Sequence, residues 1–128
     1  MSSRRGAKWE GVGERIAMRM RDLGFWNEED DRPDISEFIA KHAARKYLGQ
    51  QFYVWFSDGV PDRLNLEALA EDLDCAVAWL LLGKRAIGLK APNSPPLSSK
   101  ALAWVQGDRA RYAKRGAPVK TATVTRIR

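Results

Sequence analysis

The sequence contains a single cysteine and a single histidine in 128 residues. Cys75 therefore cannot form a disulfide within the chain, which suits a reducing cytoplasm, and we interpret it as a core residue. His42 has no serine, cysteine or carboxylate partner at a catalytic spacing. Glycine-rich phosphate loops, zinc-ligand spacings and nucleophile elbows are also missing. We therefore expect a protein that is not an enzyme and that binds no metal and no cofactor.

Long hydrophobic runs are missing as well. No apolar stretch is long enough to span a bilayer, and no signal peptide or lipidation motif is visible. A chain of 128 residues is large enough for one domain with tails and too small for a separate ligand domain. We expect a cytoplasmic protein that does not contact a membrane.

Basic residues outnumber acidic ones by 22 to 16, but the two kinds are segregated along the chain. Residues 1–26 hold six basic and three acidic side chains, residues 27–83 hold five and twelve, and residues 84–128 hold eleven and one. The centre is therefore acidic and the two ends are basic. This distribution is typical of a protein that grips a polyanion with flexible arms.

Composition divides the chain into four segments: a basic N-terminal arm (1–8), a folded domain (9–85), a Pro/Gly/Ser-rich linker (86–99) and a basic C-terminal tail (100–128). The tail carries a ragged helix signal from Lys100 to Arg115, with Ser98 or Ser99 as its cap. This helix could dock on the core, pair two protomers, order on nucleic acid, or remain disordered.

Helical periodicity begins in the first half of the folded domain. The apolar face of the first predicted helix comprises Val12, Ile16, Met20 and Leu23, and Gly24 ends it. Off that face lie Arg15, Arg19 and Arg21, which could contact phosphates or lie in solvent. An acidic loop at 28–31, without the ligand spacing of a calcium loop, is expected to face solvent. Asp34 then caps a second helix, and Glu37 completes a capping box.

Three further helices are predicted after residue 48. In the third helix Gln50 and Gln51 face outward, Tyr53 and Phe56 face inward, and Gly59 stops it. The fourth helix is capped by Asn65 and buries Leu66, Leu69, Ala70 and Leu73. The fifth is capped by Asp74, buries Val77, Trp79 and Leu80, and ends at Gly83.

The order and spacing of these motifs resemble the lambda-repressor-like, or xenobiotic-response-element, family of helix-turn-helix proteins. The motifs that carry the resemblance are Gly13-Glu14-Arg15-Ile16, Ile39-Ala40, Gln50, Phe56 before Gly59, Leu66, Leu69-Ala70, Leu73 and Trp79-Leu80-Leu81-Leu82-Gly83. They cover a little over half of the chain. The resemblance implies an all-α, compact five-helix DNA-binding domain, here with flexible basic tails.

The chain departs from the family pattern between Ala40 and Gln50, where it is about three residues longer. The second helix could extend through Ala43 and Ala44, or the turn could hold an insertion around residues 45–47. We favour the insertion. The turn glycine of the family is also missing, and Ser57 stands where the family often has glutamate.

The resemblance places helix three in the major groove of DNA. Gln50 and Gln51 are expected to contact base edges, because a glutamine amide can pair bidentately with adenine. Trp55 could touch a thymine methyl or a sugar, or be buried against the inserted turn. Ser36, at the start of helix two, is a candidate phosphate contact. Further phosphate contacts are expected from Arg4, Arg5, Lys8, Arg109, Arg111, Lys114 and Arg115.

The resemblance implies a phage or prophage-type transcriptional regulator, most simply a repressor, in a bacterial cell or a phage-infected host. It would bind double-stranded operator DNA, alone or as a homodimer. A second class remains open. The twelve acidic residues at 27–83 would also suit a protein-interaction module, such as an antitoxin or an inhibitor of a host enzyme. For that class the partner is a host protein rather than DNA.

Overall fold

The structure is a computed structural model, and it describes residues 10–86 and 91–108. This part of the chain is mostly helical and contains one two-stranded sheet. In chain order the elements are α1 (Val12–Asp22), β1 (Trp26–Asn27), β2 (Arg32–Pro33), α2 (Ile35–Lys41), α3 (Gly49–Phe56), α4 (Arg63–Asp72), α5 (Val77–Leu82) and α6 (Ser99–Ala103). Short 3₁₀ turns follow α2 (Ala43–Arg45) and α5 (Gly83–Arg85), and a π-helical turn (Trp104–Asp108) continues α6. The predicted all-α class is confirmed at this level.

α1 forms where the apolar period predicts it. Val12, Ile16 and Met20 are fully buried, whereas Leu23 is 38 % exposed, so its predicted place on the buried face is wrong. Gly24 adopts a positive φ, and the Phe25 N–H donates to the Met20 carbonyl, which is the hydrogen bond of a Schellman motif. The helix therefore ends at the predicted glycine, and Leu23 lies already in the turn.

The acidic segment 28–31 is the turn of a β-hairpin that the sequence did not predict. Trp26 pairs with Pro33 in antiparallel register, and the Trp26 Nε1–H donates to Asp31 Oδ1 at 2.9 Å. Strands of two residues are too short to show a period of two in a sequence. The hairpin leads into α2, whose first turn is capped by Asp34 as predicted, with the Glu37 N–H as donor.

Two other predicted caps are wrong. α4 begins at Arg63, and its cap is Asp62, whose carboxylate accepts from the Asn65 N–H; Asn65 itself lies inside the helix. Asp74 does not cap α5, which starts at Val77. Asp74 has a positive φ and ends α4, while the next N–H, that of Cys75, donates to the Ala70 carbonyl. The core positions of α4 are nevertheless as predicted, with Leu69 and Leu73 fully buried.

Two of the three arginines of α1, Arg15 and Arg19, are structural tethers, not free phosphate contacts and not solvated side chains. Arg15 donates to the carbonyls of Leu80 and Leu81 at the end of α5. Arg19 is 7 % exposed and donates to the Leu73 carbonyl at the end of α4. Cations at helix C-termini satisfy carbonyls that have no partner within the helix.

Residues 91–98, which we call the strap, lie against the folded body although their composition is that of a linker. Arg21 donates to the Pro96 carbonyl at 2.9 Å, and Ser98 Oγ donates to Asp31 Oδ2 at 2.5 Å. Ser98 also caps α6, as the sequence allowed. Ala101, Trp104 and Val105 are buried in the common core, so the first part of the predicted helix from Lys100 to Arg115 docks on the core, while residues 109–115 lie outside the described residues.

Candidate nucleic-acid interface

The N-terminal turn of α3 presents one glutamine rather than two. Gln50 is exposed. Gln51 is half-buried, and its Oε1 accepts a hydrogen bond from the Leu48 backbone N–H at 2.9 Å. This contact satisfies an N–H just before the helix, as the glutamine of a capping box does. The side chain of Gln51 therefore stabilises the start of α3, and Gln50 is the glutamine available at the surface.

The buried face of α3 is aromatic. Phe52, Trp55 and Phe56 are at most 4 % exposed, while Tyr53 is half-buried. The prediction that Trp55 faces DNA is wrong: its ring lies 4.9 Å from that of Phe52 and 6.1 Å from that of Tyr47. The other predicted position, burial against the turn before α3, is the one observed. An indole in this cluster cannot reach a groove.

Val54 occupies the exposed face of α3 in place of Trp55. It follows Gln50 by one helical turn, and it is 58 % exposed. Ser57, exposed at the end of the same stripe, donates its hydroxyl proton to the Tyr53 carbonyl. The outer surface of α3 therefore carries an amide, an isopropyl group and a hydroxyl, and the helix contains no charged residue.

The turn between α2 and α3 is held by α4. Arg45 donates to both carboxylate oxygens of Asp72, each at 3.0 Å, and to Glu71 at 2.9 Å. Tyr47 donates its phenolic proton to Asp72 at 2.7 Å. α2 ends at Lys41 and does not continue as an α-helix through Ala43 and Ala44.

These contacts shift the pKa values of the Tyr47 phenol and of the Asp72 carboxyl. Burial and the hydrogen bond to Asp72 raise the pKa of the Tyr47 phenol. Burial alone would raise the pKa of the Asp72 carboxyl, but hydrogen bonds from Arg45 and Tyr47 outweigh it and lower that pKa below its usual value. Asp72 is therefore charged at neutral pH and anchors the turn to α4.

Two cations flank α3 in the chain. Lys46 is exposed and adopts a positive φ of 62° in the turn before the helix. Arg63 begins α4, has a side chain that is 89 % exposed, and lies 3.4 Å from Glu67. Ser36 is exposed in the first turn of α2. The remaining predicted phosphate contacts, Arg4, Arg5, Lys8, Arg109, Arg111, Lys114 and Arg115, lie outside the described residues.

Sequence reasoning missed Val54 and Lys46. The helical spacing predicts that Tyr53 and Phe56 lie on the buried face of α3, whereas in the structure that face is centred on Phe52 and Phe56. A phase set on Phe52 and Phe56, four residues apart, would have placed Val54 outside. No local signal marked Lys46, because a positive φ at a lysine follows from the anchored turn and not from its own preference.

The C-terminal end of α3 is joined to the start of α1. Asp58 has a positive φ of 66°, and the Gly59 N–H donates to the Val54 carbonyl, so Asp58 rather than Gly59 occupies the left-handed position. The Asp58 carboxylate accepts from the Gly13 N–H at 2.8 Å and from the Gly11 N–H at 3.3 Å. Gly13 cannot carry a side chain, because a Cβ would lie 2.3 Å from the Phe56 carbonyl oxygen.

Other kinds of site have less support in the described residues. No group of three or more His, Cys, Asp and Glu residues there could hold a metal ion, and no described helix has the length and hydropathy needed to cross a bilayer. A cleft of about 790 Å³ lies between α1, the end of α5 and the strap. Arg15 lines this cleft, but its guanidinium is bound to the carbonyls of α5.

Comparisons of the chain with protein-family models, with curated proteins and with solved structures find no match.

Proposed function

We propose that the protein is a sequence-specific regulator that binds double-stranded DNA, with α2 and α3 as a helix-turn-helix pair and α3 in the major groove. The observation that carries the proposal is the division of α3 into two faces. Phe52, Trp55 and Phe56 anchor the helix in the core, while Gln50 and Val54 are left at the surface. A recognition helix in the major groove is anchored by its buried face and recognises sequence through outer side chains that contact base edges.

The two exposed side chains of α3 would contact different bases. Gln50 is suited to pair with an adenine, and the methyl groups of Val54 are suited to contact a thymine methyl one turn away. Gln51 supports this arrangement because its side chain accepts a hydrogen bond from the backbone of Leu48, the N-cap residue of α3. This assignment replaces the pair of glutamines expected from the sequence with Gln50 and Val54.

The fold and role that the resemblance implies complete the proposal. α1 to α5 would form a lambda-repressor-like domain, and the protein would act as a phage or prophage-type repressor by occupying an operator. α1 packs against both α3 and α5, which supports a compact arrangement around α3. Ser36 and Lys46 would contact the phosphates beside the bases.

The proposal is tested by selecting a binding sequence from a random duplex pool and then measuring affinity for the selected and the unselected DNA. Gln50→Ala should weaken binding to the selected duplex by about 1 to 3 kcal/mol, which is roughly 5- to 150-fold, and change binding to random DNA little. Gln106→Ala, at an exposed glutamine outside α3, is the matched control. If the parent and Gln50→Ala bind both duplexes equally, α3 does not recognise a sequence.

A protein-interaction module is the second candidate, and exposed apolar side chains near α3 favour it. Leu48, Val54, Val60 and Leu64 are 61 %, 58 %, 36 % and 79 % exposed. Leucines that are mostly exposed are more typical of a surface that meets another protein than of one that meets DNA. A parent protein that enriches no sequence and binds no duplex at low or high salt would favour this candidate.

A further inference from the structure

A cation of the hairpin lies beside α3. Arg32 belongs to β2, and its Cζ atom lies over the Trp104 ring, 5.6 Å from the ring centroid. The Tyr53 ring of α3 lies 6.2 Å from the same indole. Trp104 therefore packs against both a cation of the hairpin and a side chain of α3.

The position of Tyr53 on α3 shows which side of the helix Arg32 approaches. Successive residues of an α-helix are about 100° apart, so Tyr53 lies about 60° around the axis from Gln50 and about 60° from Phe56 in the other direction. Gln50 is exposed, Phe56 is buried and Tyr53 is half-buried. We call this boundary between the exposed and the buried face the Tyr53 edge of α3.

The edges of a recognition helix are where the DNA backbone comes closest to it. The major groove is about 12 Å wide, and an α-helix with its side chains is about 10 to 12 Å across. Such a helix nearly fills the groove, whose walls are the phosphates of the two strands. In the proposed orientation Gln50 and Val54 face the bases. A cation at the Tyr53 edge then faces the phosphates of one wall.

Arg32 keeps its hydrogen-bonding capacity while it packs on Trp104. A guanidinium that lies over an aromatic ring uses its planar face, and its N–H donors point outward around the rim. Here Arg32 Nη2 lies 3.4 Å from Asp30 Oδ2, and the Arg32 side chain is 24 % exposed. Guanidinium groups bind phosphate oxygens with the same donors that they use for carboxylates.

Other contacts of the hairpin hold Arg32 near α3. Asp31 accepts hydrogen bonds from the Trp26 indole and from the Ser98 hydroxyl, so the turn of the hairpin is tied to the strap. Burial raises the pKa of the Tyr53 phenol, and the nearby charge of Arg32 opposes that rise. A cation that is positioned before binding loses less side-chain freedom when it meets its ligand.

We infer that Arg32 binds one backbone phosphate of double-stranded DNA, on the groove wall that faces the Tyr53 edge of α3, and exchanges Asp30 for that phosphate. The inference rests on the proposed function and adds to it a contact from the hairpin, an element that the sequence did not predict. The Asp30 side chain is 51 % exposed, and exposed ion pairs cost little to break. Glu28 and Glu29 are also exposed in this turn and oppose the approach of phosphate, so the contact depends on Arg32.

The first experiment neutralises single phosphates of the selected duplex. Each phosphate in turn is replaced by an uncharged methylphosphonate, and the affinity of the full chain is measured. One replacement that weakens binding of the parent should leave the affinity of Arg32→Gln unchanged, because that variant has no charge to pair with it. Lys84→Gln, which removes an exposed charge from the body, should keep the sensitivity of the parent at that position.

The salt dependence of binding is an independent measurement. Loss of one phosphate contact flattens the slope of log affinity against log salt by about 0.9, so between about 50 and 200 mM salt Arg32→Gln should lose about 3.5-fold less affinity than the parent. Arg32→Lys retains the charge and should retain the slope. Preference for the selected duplex over random DNA should persist in both variants.

Asp30→Asn tests the exchange with the opposite sign. It removes the carboxylate that competes with phosphate for Arg32, so it should strengthen binding by up to about 5-fold more than Glu29→Gln does. Glu29→Gln is the matched control, because it removes the same charge from the same turn. In the background of Arg32→Gln the two substitutions should have equal effects.

The other outcomes overturn the inference in distinguishable ways. If Arg32→Gln keeps the slope of the parent and its sensitivity to every methylphosphonate, Arg32 contacts no phosphate, and the proposed function still stands. Weaker binding with an unchanged slope would mean that Arg32 only holds the hairpin on Trp104. An Asp30→Asn variant that binds no better than Glu29→Gln would refute the exchange. A parent protein that binds no duplex would refute both the inference and the proposed function.

Discussion

Three charged side chains in this protein bind backbone groups at the ends of helices other than their own. Arg19 serves the end of α4, Arg15 serves the end of α5, and Asp58 serves the start of α1. Each joins residues at least 45 positions apart in the chain. Because a helix end has backbone groups without partners inside the helix, such contacts hold one helix against another. These charges are therefore structural.

Cys75 gives a prediction at the residue scale. Burial raises the pKa of its thiol to about 11, and the thiolate is the reactive form. A rise from the ordinary 9.0 to about 11 should lower the thiolate fraction at neutral pH about 100-fold. The native protein should accordingly react with a disulfide reagent roughly 100-fold more slowly than the protein in denaturant. Equal rates in the two conditions would show that the Cys75 thiol is accessible and has the pKa of an ordinary cysteine.

At the scale of elements, the turn between α2 and α3 is the part most dependent on a distant helix. It contains no regular α-helix, yet Arg45 and Tyr47 both bind Asp72 of α4. The Asp72 side chain is only 8 % exposed. One carboxylate on a third helix therefore holds the turn between α2 and α3, in addition to the direct contact of the Phe38 and Phe52 rings.

The contribution of the turn to the free energy of unfolding should decrease at low pH. The pKa of Asp72 is lower in the folded protein than in the unfolded chain, so its stabilising contribution is present above about pH 3.9 and is lost as the pH falls through the folded-state pKa. Asp72→Asn should lower the free energy of unfolding by about 1 to 3 kcal/mol at pH 7. The gap between variant and parent, measured by urea unfolding, should close as the pH falls below about 3.9.

Glu71→Gln is the matched control, since Glu71 also binds Arg45 but its side chain is 76 % exposed. We expect a change of at most about 1 kcal/mol for it at pH 7, as for other surface ion pairs. A gap for Asp72→Asn that stays constant from pH 7 to pH 2 would mean that the charge of Asp72 contributes nothing.

On the scale of the whole molecule, the strap and α6 complete the core made by α1 to α5. Leu97, Ala101, Trp104 and Val105 belong to the same buried cluster as the helices before them. Trp104 contacts the rings of Tyr53 and Phe56 on α3, and Arg32 of the hairpin lies over its ring at 5.6 Å. The described residues 91–108 are thus part of the folding unit and not an appendage.

Trp104→Ala tests whether residues 91–108 unfold together with α1 to α5. Truncation of a buried tryptophan typically costs about 3 to 5 kcal/mol, and the loss should appear in the one unfolding transition of the domain. Leu102→Ala, at a half-buried neighbour, should cost less. The measurement is denaturant unfolding followed by far-UV circular dichroism. A second, separate transition in the parent, with Trp104→Ala affecting only that one, would show that the C-terminal part folds by itself.

Local spacing in the sequence was sufficient to predict several elements of this protein. The stripe of Val12, Ile16 and Met20, the stop at Gly24 and the buried face of α4 all depend on the 3.6-residue period of a helix within a few turns. The segregation of charge is likewise a property of the sequence alone. These features follow from residues close together in the chain.

Tertiary structure alone decided the burial of Trp55, the exposure of Val54 and the docking of the strap. The partners of Trp55 and Arg19 come from segments whose distance in space no local pattern specifies. A hydrophobic period predicts that a helix has a buried face. In α3, however, four aromatic residues fall within positions 52–56, and only the packing of neighbouring elements determines which of them are buried. The contacts that hold the start of α1 and Trp104 beside the end of α3 are also tertiary, because the Asp58 carboxylate accepts from the Gly13 N–H and the Trp104 ring packs on that of Phe56.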